Sequence, residues 1–304
     1  MGDLAASEIE ALLDDALRLK REGAADGPRP GPRLADRTAA LVFQKPSLRT
    51  RVSFEVAMLQ LGGHALYLSP AEIQLGQREG VVDAARVLSR YVDLIVARVY
   101  LHDDVVGLAR HATVPVVNAL SDLEHPCQIL ADLLTLRERF SVLRGLRLAY
   151  LGDGNNVANS LALAGPRLGM HMAFGCPAGY EPDPTILGAA APAEGGSVEL
   201  FSDPRAAVRG ANAVYTDAWY SMGQEGEAEQ RGPVFGPFQL NADLLAQAAP
   251  GAVAMHCLPA HRGQEITDEV LDGPASVAYD QAENRLHVQK ALLLALLRGG
   301  SLAA

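Results

Sequence analysis

The sequence is poor in the features that mark several protein classes. Its 304 residues include only three cysteines and no CxxC pair, so neither a disulfide framework nor structural zinc is expected. No aliphatic run is longer than Ala291–Leu297, far below the ~20 residues that span a bilayer. Acidic residues outnumber basic ones by 36 to 26, and the net charge of −10 gives no field that attracts nucleic acid. We therefore expect no membrane or nucleic-acid partner, and the polar start with few cysteines favours the cytoplasm.

Several catalytic motifs are missing as well. The sequence contains no GxxxxGK[ST] loop, no GxSxG elbow and no HExxH pair. ATP hydrolysis, esterase chemistry and zinc proteolysis therefore lose their main sequence support. His256 and His261 do not share a helical face, so we expect no metal.

Short runs rich in Val, Leu, Ile and Ala alternate with longer helical patterns. Such runs are typical of strands buried on both faces of a parallel sheet, and the alternation predicts an α/β protein with helices on both sheet faces. The expected strands are Ala39–Phe43, His64–Leu68, Asp93–Ala97, Val114–Val117, Arg147–Leu151, His171–Gly175, Ser197–Phe201, Ala213–Thr216, Ala252–His256 and Ser276–Tyr279. The expected helices include Leu48–Leu61, Gly80–Arg90, Pro126–Arg139, Val157–Leu168 and Glu283–Arg298.

The length suggests two domains at roughly 150 residues each. A long helix is predicted over Gln128–Phe140, and Gly145 then restarts the strand–helix pattern. We therefore expect a first domain over 1–137, joined by the C-terminal helix 283–304, and a second domain over 138–282.

The segment from Phe43 to Glu55 has the pattern of an anion site. A strand ends at Phe43, Ser47 is a natural N-cap, and the first helical turn then carries Arg49, Thr50 and Arg51. Free N–H groups, a hydroxyl and guanidinium groups at a helix N-terminus favour phosphate. The alternative is a capped helix with solvated arginines, which leaves cations opposing the helix dipole unexplained.

Two further motifs lie at predicted helix starts. His125 precedes Pro126, and Gln128 lies in the first turn, so both side chains can hydrogen-bond one carbonyl, although His125 can equally be only a cap. The run Leu151–Val157 resembles a dinucleotide fingerprint but lacks its third glycine. It therefore supports a Rossmann-like second domain more than NAD binding, and Asn156 there can bind a carboxylate.

The last two motifs follow predicted strands, at the edge where α/β proteins bind ligands. Asp217 places an acid after one strand, and the run Met255–Gly263 follows another. Cys257 within that run is open to three interpretations: a metal ligand, a small buried hydrophobe or a functional thiol.

Together these segments resemble one family, the ornithine carbamoyltransferases. Ser-x-Arg-Thr-Arg with Ser-Phe-Glu, at 47–55, is similar to the family's carbamoyl phosphate signature, and His125-Pro-x-Gln128 to its second element. Asp217-x-Trp-x-Ser-Met-Gly and His256-Cys-Leu-Pro resemble the ornithine-specific elements, and Glu283-Asn-Arg the closing motif. The resemblance extends from about Ile9 to Arg298.

The resemblance implies a role for each matching residue. Carbamoyl phosphate would be held by Ser47, Leu48, Arg49, Thr50, Gln74, Arg98, His125, Gln128 and Arg285. Ornithine would be held by Asn156, Asp217, Ser221, Met222, Cys257 and Leu258. The catalytic residues would be Arg98, His125, Asp217 and Cys257. Leu48 departs from the commoner Thr, which matters little if this position acts through its N–H alone.

The resemblance also implies two Rossmann-like domains with the active site in the interdomain cleft, no cofactor, and a homotrimer or a multiple of trimers. Gln74 would then complete the phosphate site of a neighbouring subunit. The expected reaction is carbamoyl transfer from carbamoyl phosphate to the δ-amine of L-ornithine. The alternatives are a carbamoyltransferase for putrescine, an N-acylated ornithine or aspartate, a non-catalytic ligand-binding relative, and, more remotely, an NAD dehydrogenase.

Overall fold

Parallel strands form the centre of each of two units into which the chain divides. The computed structural model describes residues 1–24, 33–190, 192–220, 226 and 228–298. The N-unit comprises residues 7–134 and the residues from 284 on, and the C-unit comprises residues 1–6 and 135–283. The chain therefore passes between the units three times, and both are discontinuous in sequence.

The N-unit contains a four-stranded parallel sheet in the order β2-β1-β3-β4. Its strands are β1 (Thr38–Phe43), β2 (His64–Leu68), β3 (Leu94–Arg98) and β4 (Val116–Leu120). The helices from the N-terminus to α6, which crosses the boundary between residues 134 and 135, are α1 (Ala6–Ala24), α2 (Leu48–Leu61), α3 (Pro70–Ile73), α4 (Val81–Leu88), α5 (His102–His111) and α6 (Pro126–Phe140).

The C-unit contains a five-stranded parallel sheet in the order β7-β6-β5-β8-β9. Its strands are β5 (Arg147–Leu151), β6 (His171–Gly175), β7 (Ser197–Phe201), β8 (Ala213–Thr216) and β9 (Val253–His256). The helices of the C-unit that follow α6 are α7 (Asn156–Ala164), α8 (Pro184–Ala189), α9 (Pro204–Val208), α10 (Ala228–Phe235), α11 (Ala242–Leu245) and α12 (Asp268–Leu271), with 3-10 turns at Pro166–Leu168 and Gly236–Phe238. The last helix, α13 (Ala278–Leu297), begins in the C-unit and belongs to the N-unit from Asn284 on.

Apolar strands with both faces covered explain why these segments form parallel sheets. Every residue of β3, β8 and β9 is buried, and the inner strands of both sheets pack aliphatic side chains against helices. The predicted α/β class with two parallel sheets is confirmed. Among the described residues, no helix is both long and apolar enough to cross a membrane.

The strand orders determine where ligands can bind. In an open α/β sheet the crevice lies beyond the carboxyl ends of the strands, where the strand order reverses. In the N-unit this point lies between β1 and β3, whose last residues Phe43 and Arg98 are paired. In the C-unit it lies between β5 and β8, where Leu151 pairs with Thr216. The motifs around Ser47, Arg98 and Asp217 therefore start at favourable positions.

Several local predictions are wrong in detail, among them the last helix, expected over Glu283–Arg298 but observed over Ala278–Leu297. The expected strand Ser276–Tyr279 is only a single bridge between Ser276 and Ala254, because α13 already begins at Ala278. The expected helix Val157–Leu168 ends as an α-helix at Ala164 and continues, after Gly165, as a 3-10 turn starting at Pro166. The expected strand Val114–Val117 is displaced, since β4 covers Val116–Leu120.

Candidate active site

The N-terminus of α2 has the geometry of an anion site in the N-unit. Ser47 is the N-cap with an extended backbone, and its Oγ accepts a hydrogen bond from the Thr50 N–H at 3.3 Å, which confirms the predicted cap. Leu48, the first residue of the helix, has a side chain that is 75% exposed. The other N–H groups of this turn are at the positive end of the helix dipole.

Two arginines converge on the hydroxyl of Thr50. Arg285 Nη2 donates to Thr50 Oγ1 at 2.8 Å, and Arg98 Nη1 approaches the same oxygen at 3.5 Å. All three side chains are buried. Arg98 Nε has no hydrogen-bond partner in the part of the chain that the structure describes, and no carboxylate is among the groups that shift the pKa of Arg98. An anion is the group that would satisfy these donors.

The electrostatics of this cluster are those of crowded cations. Burial, followed by the charges of Arg285 and Arg49, lowers the pKa of Arg98 to about 10. The pKa of His125 is pushed well below its usual value, first by burial and then by Arg285, Arg98, Lys45 and Arg49. His125 is therefore a neutral imidazole at physiological pH, able to donate one hydrogen bond without adding charge.

Gln128 follows His125 in the first turn of α6. Its side chain is buried, and its Nε2 donates to Asp132 Oδ1 at 2.9 Å. Its Oε1 is buried and has no hydrogen-bond partner among the described residues. The structure thus brings His125 and Gln128 to one helix start, as the sequence predicts.

Lys45 adds a charge that titrates near neutral pH to the cluster of Arg98 and His125. Its side chain is largely buried, with Nζ 5.0 Å from the ring centre of Tyr100. Burial, then Arg98, lowers its pKa to about 8, while Asp122 acts in the opposite direction. Its charge is therefore present below about pH 8 and is lost above it.

We expect the affinity for an anion to decrease when Lys45 loses its charge. As the pH rises from about 7 to 9, the Kd for carbamoyl phosphate should increase severalfold, because Lys45 becomes neutral. Lys45→Arg keeps its charge and should remove this alkaline weakening. Calorimetric titrations at several pH values test both statements, and identical pH profiles for the two proteins would contradict them.

The C-unit brings Asp217 and Cys257 together. Asp217 follows β8 and Cys257 follows β9, and the Cys257 Sγ donates to Asp217 Oδ1 at 2.9 Å. The same Oδ1 accepts from the Ala218 N–H, and Oδ2 accepts from Asn155 Nδ2, both at 2.8 Å. Each side-chain oxygen of Asp217 therefore has a donor against it.

Asn155 has a fixed amide because it is also the N-cap of α7. Its Oδ1 accepts from the N–H groups of Val157 and Ala158, so its Nδ2 is left to face Asp217. The sequence singles out the neighbouring Asn156 instead. Asn156 is the first residue of α7, beside the carboxyl end of β5.

The glycines before α7 serve packing within the C-unit. A Cβ on Gly154 would lie 2.2 Å from the backbone of Glu181 and Pro182, and Gly152 has a φ of 120°. A close backbone contact therefore explains Gly154, and a positive φ explains Gly152, without a dinucleotide. The hypothesis that this motif binds NAD therefore loses its support.

A buried His–Glu pair supports the segment around Cys257. His256 Nδ1 accepts from the Leu258 N–H at 2.8 Å, so its Nε2 carries the proton and donates to Glu265 Oε1 at 3.1 Å. The Leu258–Pro259 peptide is cis, and Leu258 has a φ of 56°. Both ring nitrogens of His256 are occupied in fixing this turn.

Asp217, His256 and Cys257 offer ligand atoms within 4.8 Å of one another, which is metal-like spacing. A metal ion would have to replace one of the His256 hydrogen bonds just described and displace the thiol proton. The hydrogen bonds of Asp217, His256 and Cys257 explain why these side chains lie close together. That the site holds no metal stays a prediction.

For the remaining predicted site residues, the structure gives a position but no contact that tests their role. Gln74 is exposed on a left-handed backbone after α3, with a φ of 38°. Arg49 is half-buried in the first turn of α2. Ser221 and Met222 lie outside the described residues.

Sequence reasoning missed Arg231, a buried cation of the C-unit. Its Nη1 lies 3.0 Å from Asp153 Oδ2 and donates to the Trp219 carbonyl at 2.7 Å. Its guanidinium carbon also lies 5.0 Å from the ring centre of Tyr180. Arg231 therefore connects the turn before Asn155 with the segment after Asp217.

Comparisons with known proteins agree with this geometry. Residues 1–138 match the family model described as aspartate/ornithine carbamoyltransferase, carbamoyl-P binding domain. Residues 144–296 match that of the Asp/Orn binding domain. The anabolic ornithine carbamoyltransferase of Pyrococcus furiosus is 54% identical over 98% of this chain and 95% of its own length.

Two further comparisons extend this similarity. The ornithine carbamoyltransferase of Acidothermus cellulolyticus is 56% identical over 97% of this chain and 94% of its own length. The solved structure of the Pyrococcus furiosus protein superposes with a TM-score of 0.94 at 54% identity, covering 98% of this chain and 96% of that one. The family suggested by the sequence motifs is confirmed: this chain belongs to the aspartate/ornithine carbamoyltransferase family.

Proposed function

We propose that this protein transfers the carbamoyl group of carbamoyl phosphate to the δ-amino group of L-ornithine, giving L-citrulline and phosphate. The observation that carries this proposal is the carboxylate–thiol pair of Asp217 and Cys257, held for a cationic amine in a chain whose relatives are named ornithine carbamoyltransferases. The N-unit binds carbamoyl phosphate and the C-unit binds ornithine, which matches the two family models.

The phosphate group lies at the N-terminus of α2 in this proposal. The cap residue Ser47, the N–H groups of the first turn and the side chains of Arg49 and Thr50 bind its oxygens. Arg98 and Arg285 neutralise its charge, and the bound anion offsets the burial and the mutual repulsion that lower the Arg98 pKa. Leu48 contributes its backbone N–H, since its side chain is exposed.

The carbamoyl group is bound by residues of α6 and β3. His125, neutral and buried, donates to the carbonyl oxygen together with Arg98 and the hydroxyl of Thr50. When the amine attacks, a bond forms between the δ-nitrogen and the carbamoyl carbon, and negative charge develops on that oxygen. These donors stabilise it, the usual large term in acyl transfer. The bond from carbon to the phosphate oxygen then breaks, phosphate leaves, and the amine loses a proton.

Ornithine is bound by the carboxyl ends of the C-unit strands. Asp217 and Cys257, with the Leu258 backbone, face the δ-amine, while Asn156, Ser221 and Met222 hold the amino-acid head. Only about one molecule in 2,500 of an amine with a pKa near 10.4 is neutral at pH 7. The Asp217 carboxylate attracts the abundant ammonium form, which must lose a proton before it attacks. The turnover rate should therefore increase from neutral to mildly alkaline pH.

No cofactor enters this reaction, because carbamoyl phosphate already carries an activated carbonyl and a good leaving group. The domain limits 1–137 with 283–304, and 138–282, remain predictions, as does a cytoplasmic location. They follow from the helix pattern and the low cysteine content.

A panel of acceptors tests the proposed function. With carbamoyl phosphate as donor, L-ornithine should give the highest kcat/KM for ureido product among L-ornithine, L-lysine, putrescine, N-acetyl-L-ornithine and L-aspartate. Putrescine lacks the carboxylate that Asn156 would hold, and aspartate brings a second carboxylate towards Asp217. A higher value for any other amine would assign a different acceptor, and no turnover at all would indicate a binding protein.

We also propose a homotrimer, or a multiple of it, in which Gln74 contributes to the site of a neighbouring subunit. The motivation is the exposed, left-handed position of Gln74 beside α3, together with the family resemblance. We expect sedimentation to give a trimer or larger. Mixing inactive Gln74→Ala subunits with inactive Arg98→Met subunits should restore activity in hybrids. A fully active monomer would contradict this proposal.

A further inference from the structure

The amide of Gln128 has one orientation, and Asp132 sets it. Gln128 Nε2 donates to Asp132 Oδ1 at 2.9 Å, one helical turn further along α6, and both side chains are buried. Asp132 Oδ1 accepts this hydrogen bond, so the NH₂ end of the Gln128 amide is the end that faces Asp132. The Gln128 Oε1 is thereby turned the other way, where it is buried and has no hydrogen-bond partner among the described residues.

Gln128 Oε1 is an acceptor, whereas the charged and polar groups around His125 are hydrogen-bond donors. The polar side chains that converge near the first turn of α6 are donors: the guanidinium groups of Arg98 and Arg285, and the neutral imidazole of His125. They suit phosphate and carbonyl oxygens. Gln128 Oε1 is an acceptor, and a buried acceptor left without a donor is costly. A carbamoyl group has one such donor, its NH₂.

We propose that Asp132 is a positioning residue, and that by fixing the Gln128 amide it makes the site select an acyl phosphate with an NH₂ group on the acyl carbon. This inference rests on the proposed function and refines it. Acetyl phosphate has nearly the same size and charge, but its methyl group faces Gln128 Oε1 without a hydrogen bond. The discrimination between the two ligands comes from the orientation of one amide rather than from pocket size.

The test compares three ligands on the same protein in the absence of ornithine. Wild type should bind carbamoyl phosphate at least about tenfold more tightly than acetyl phosphate, the expected effect of one unsatisfied buried acceptor. In Asp132→Asn the new amide can either accept from or donate to Gln128, so both orientations of Gln128 become possible. The ratio of the two dissociation constants should then fall severalfold. Orthophosphate, which has no acyl group, should bind within about twofold of wild type.

The ratio separates positioning from a general structural role. A merely destabilised site would weaken carbamoyl phosphate and acetyl phosphate alike and leave the ratio unchanged, which would overturn the proposal. Asp83→Asn is the matched control, because it makes the same substitution at an exposed position in the first turn of α4. It should leave all three constants unchanged.

A second variant keeps the test decisive if Asp132→Asn does not fold. Gln128→Met replaces the amide with an apolar side chain of similar length and removes the acceptor directly. It should bring the carbamoyl phosphate and acetyl phosphate constants close together, and an unchanged ratio would overturn the proposal. The proposed function is tested separately, since its failure would be the absence of citrulline formation by wild type.

Discussion

Replacing Arg98 by methionine should make the ligand-free protein more stable and a far worse enzyme. Arg98 is buried at the end of β3 and has no carboxylate partner among the described residues. Burial, followed by the charges of Arg285 and Arg49, lowers its pKa to about 10. A charge in such surroundings opposes folding, and an apolar side chain of similar length relieves this cost. We expect Tm to rise by at least about 2 °C.

The same substitution should reduce kcat/KM for carbamoyl phosphate by roughly 30- to 5,000-fold, because losing one partner of a buried charge interaction costs ~2–5 kcal/mol. The increase in Tm that carbamoyl phosphate produces in wild type should largely disappear. Scanning calorimetry with and without ligand, together with steady-state kinetics, measures both effects.

Arg90→Met, at an exposed position after α4, is the control and should change neither quantity. If Arg98→Met lowers the stability of the ligand-free protein, Arg98 has a structural partner and the anion-site interpretation of this cluster is wrong. If stability rises but kcat/KM stays within threefold of wild type, Arg98 does not contact the donor substrate.

Asp217→Asn should remove the use of ornithine while leaving carbamoyl phosphate binding intact. Asp217 accepts hydrogen bonds on both oxygens, from Ala218 N–H and Cys257 on one and from Asn155 Nδ2 on the other. An asparagine there must place its NH₂ group against a donor in either orientation. The isosteric change therefore removes the negative charge and also disturbs the geometry that holds Cys257.

We expect kcat/KM for L-ornithine to fall by roughly 30- to 5,000-fold, again from ~2–5 kcal/mol. The dissociation constant for carbamoyl phosphate should stay within about twofold, because that ligand is bound by the N-unit. Cys257→Ser keeps a donor to Asp217 and should retain more activity than Asp217→Asn. Asp243→Asn, at an exposed position in α11, should behave as wild type. Equal losses for both substrates would show that Asp217 supports the fold instead of the amine.

Local rules predicted much of this molecule. Most residues of the parallel strands are apolar, and Ser47 is followed by a helix that its side chain caps. The error at Ser276–Tyr279 has a physical cause, because a short apolar run has no periodicity that separates a strand from the start of a buried helix. α13 begins inside that run, at Ala278.

Contacts between segments that are distant in the chain could not be predicted from the sequence. Arg231 and Asp153 are 78 residues apart, and an arginine in a polar segment gives no sign that it will be buried. The sequence also could not show which of the adjacent residues Asn155 and Asn156 is the N-cap of α7, because the backbone conformation determines this. By contrast, the spacing of Gln128 and Asp132 within one helix was available as a signal.

The hydrogen bond between Arg285 and Thr50 joins residues that are 235 positions apart. During synthesis at ~5–20 residues per second, Thr50 leaves the ribosome about 10–50 s before its partner exists. When the four strands of the N-unit sheet have been made, its anion site still lacks Arg285, which follows only after residues 135–283 of the C-unit have been translated. The anion-binding unit therefore reaches its final form only when the last helix has been made.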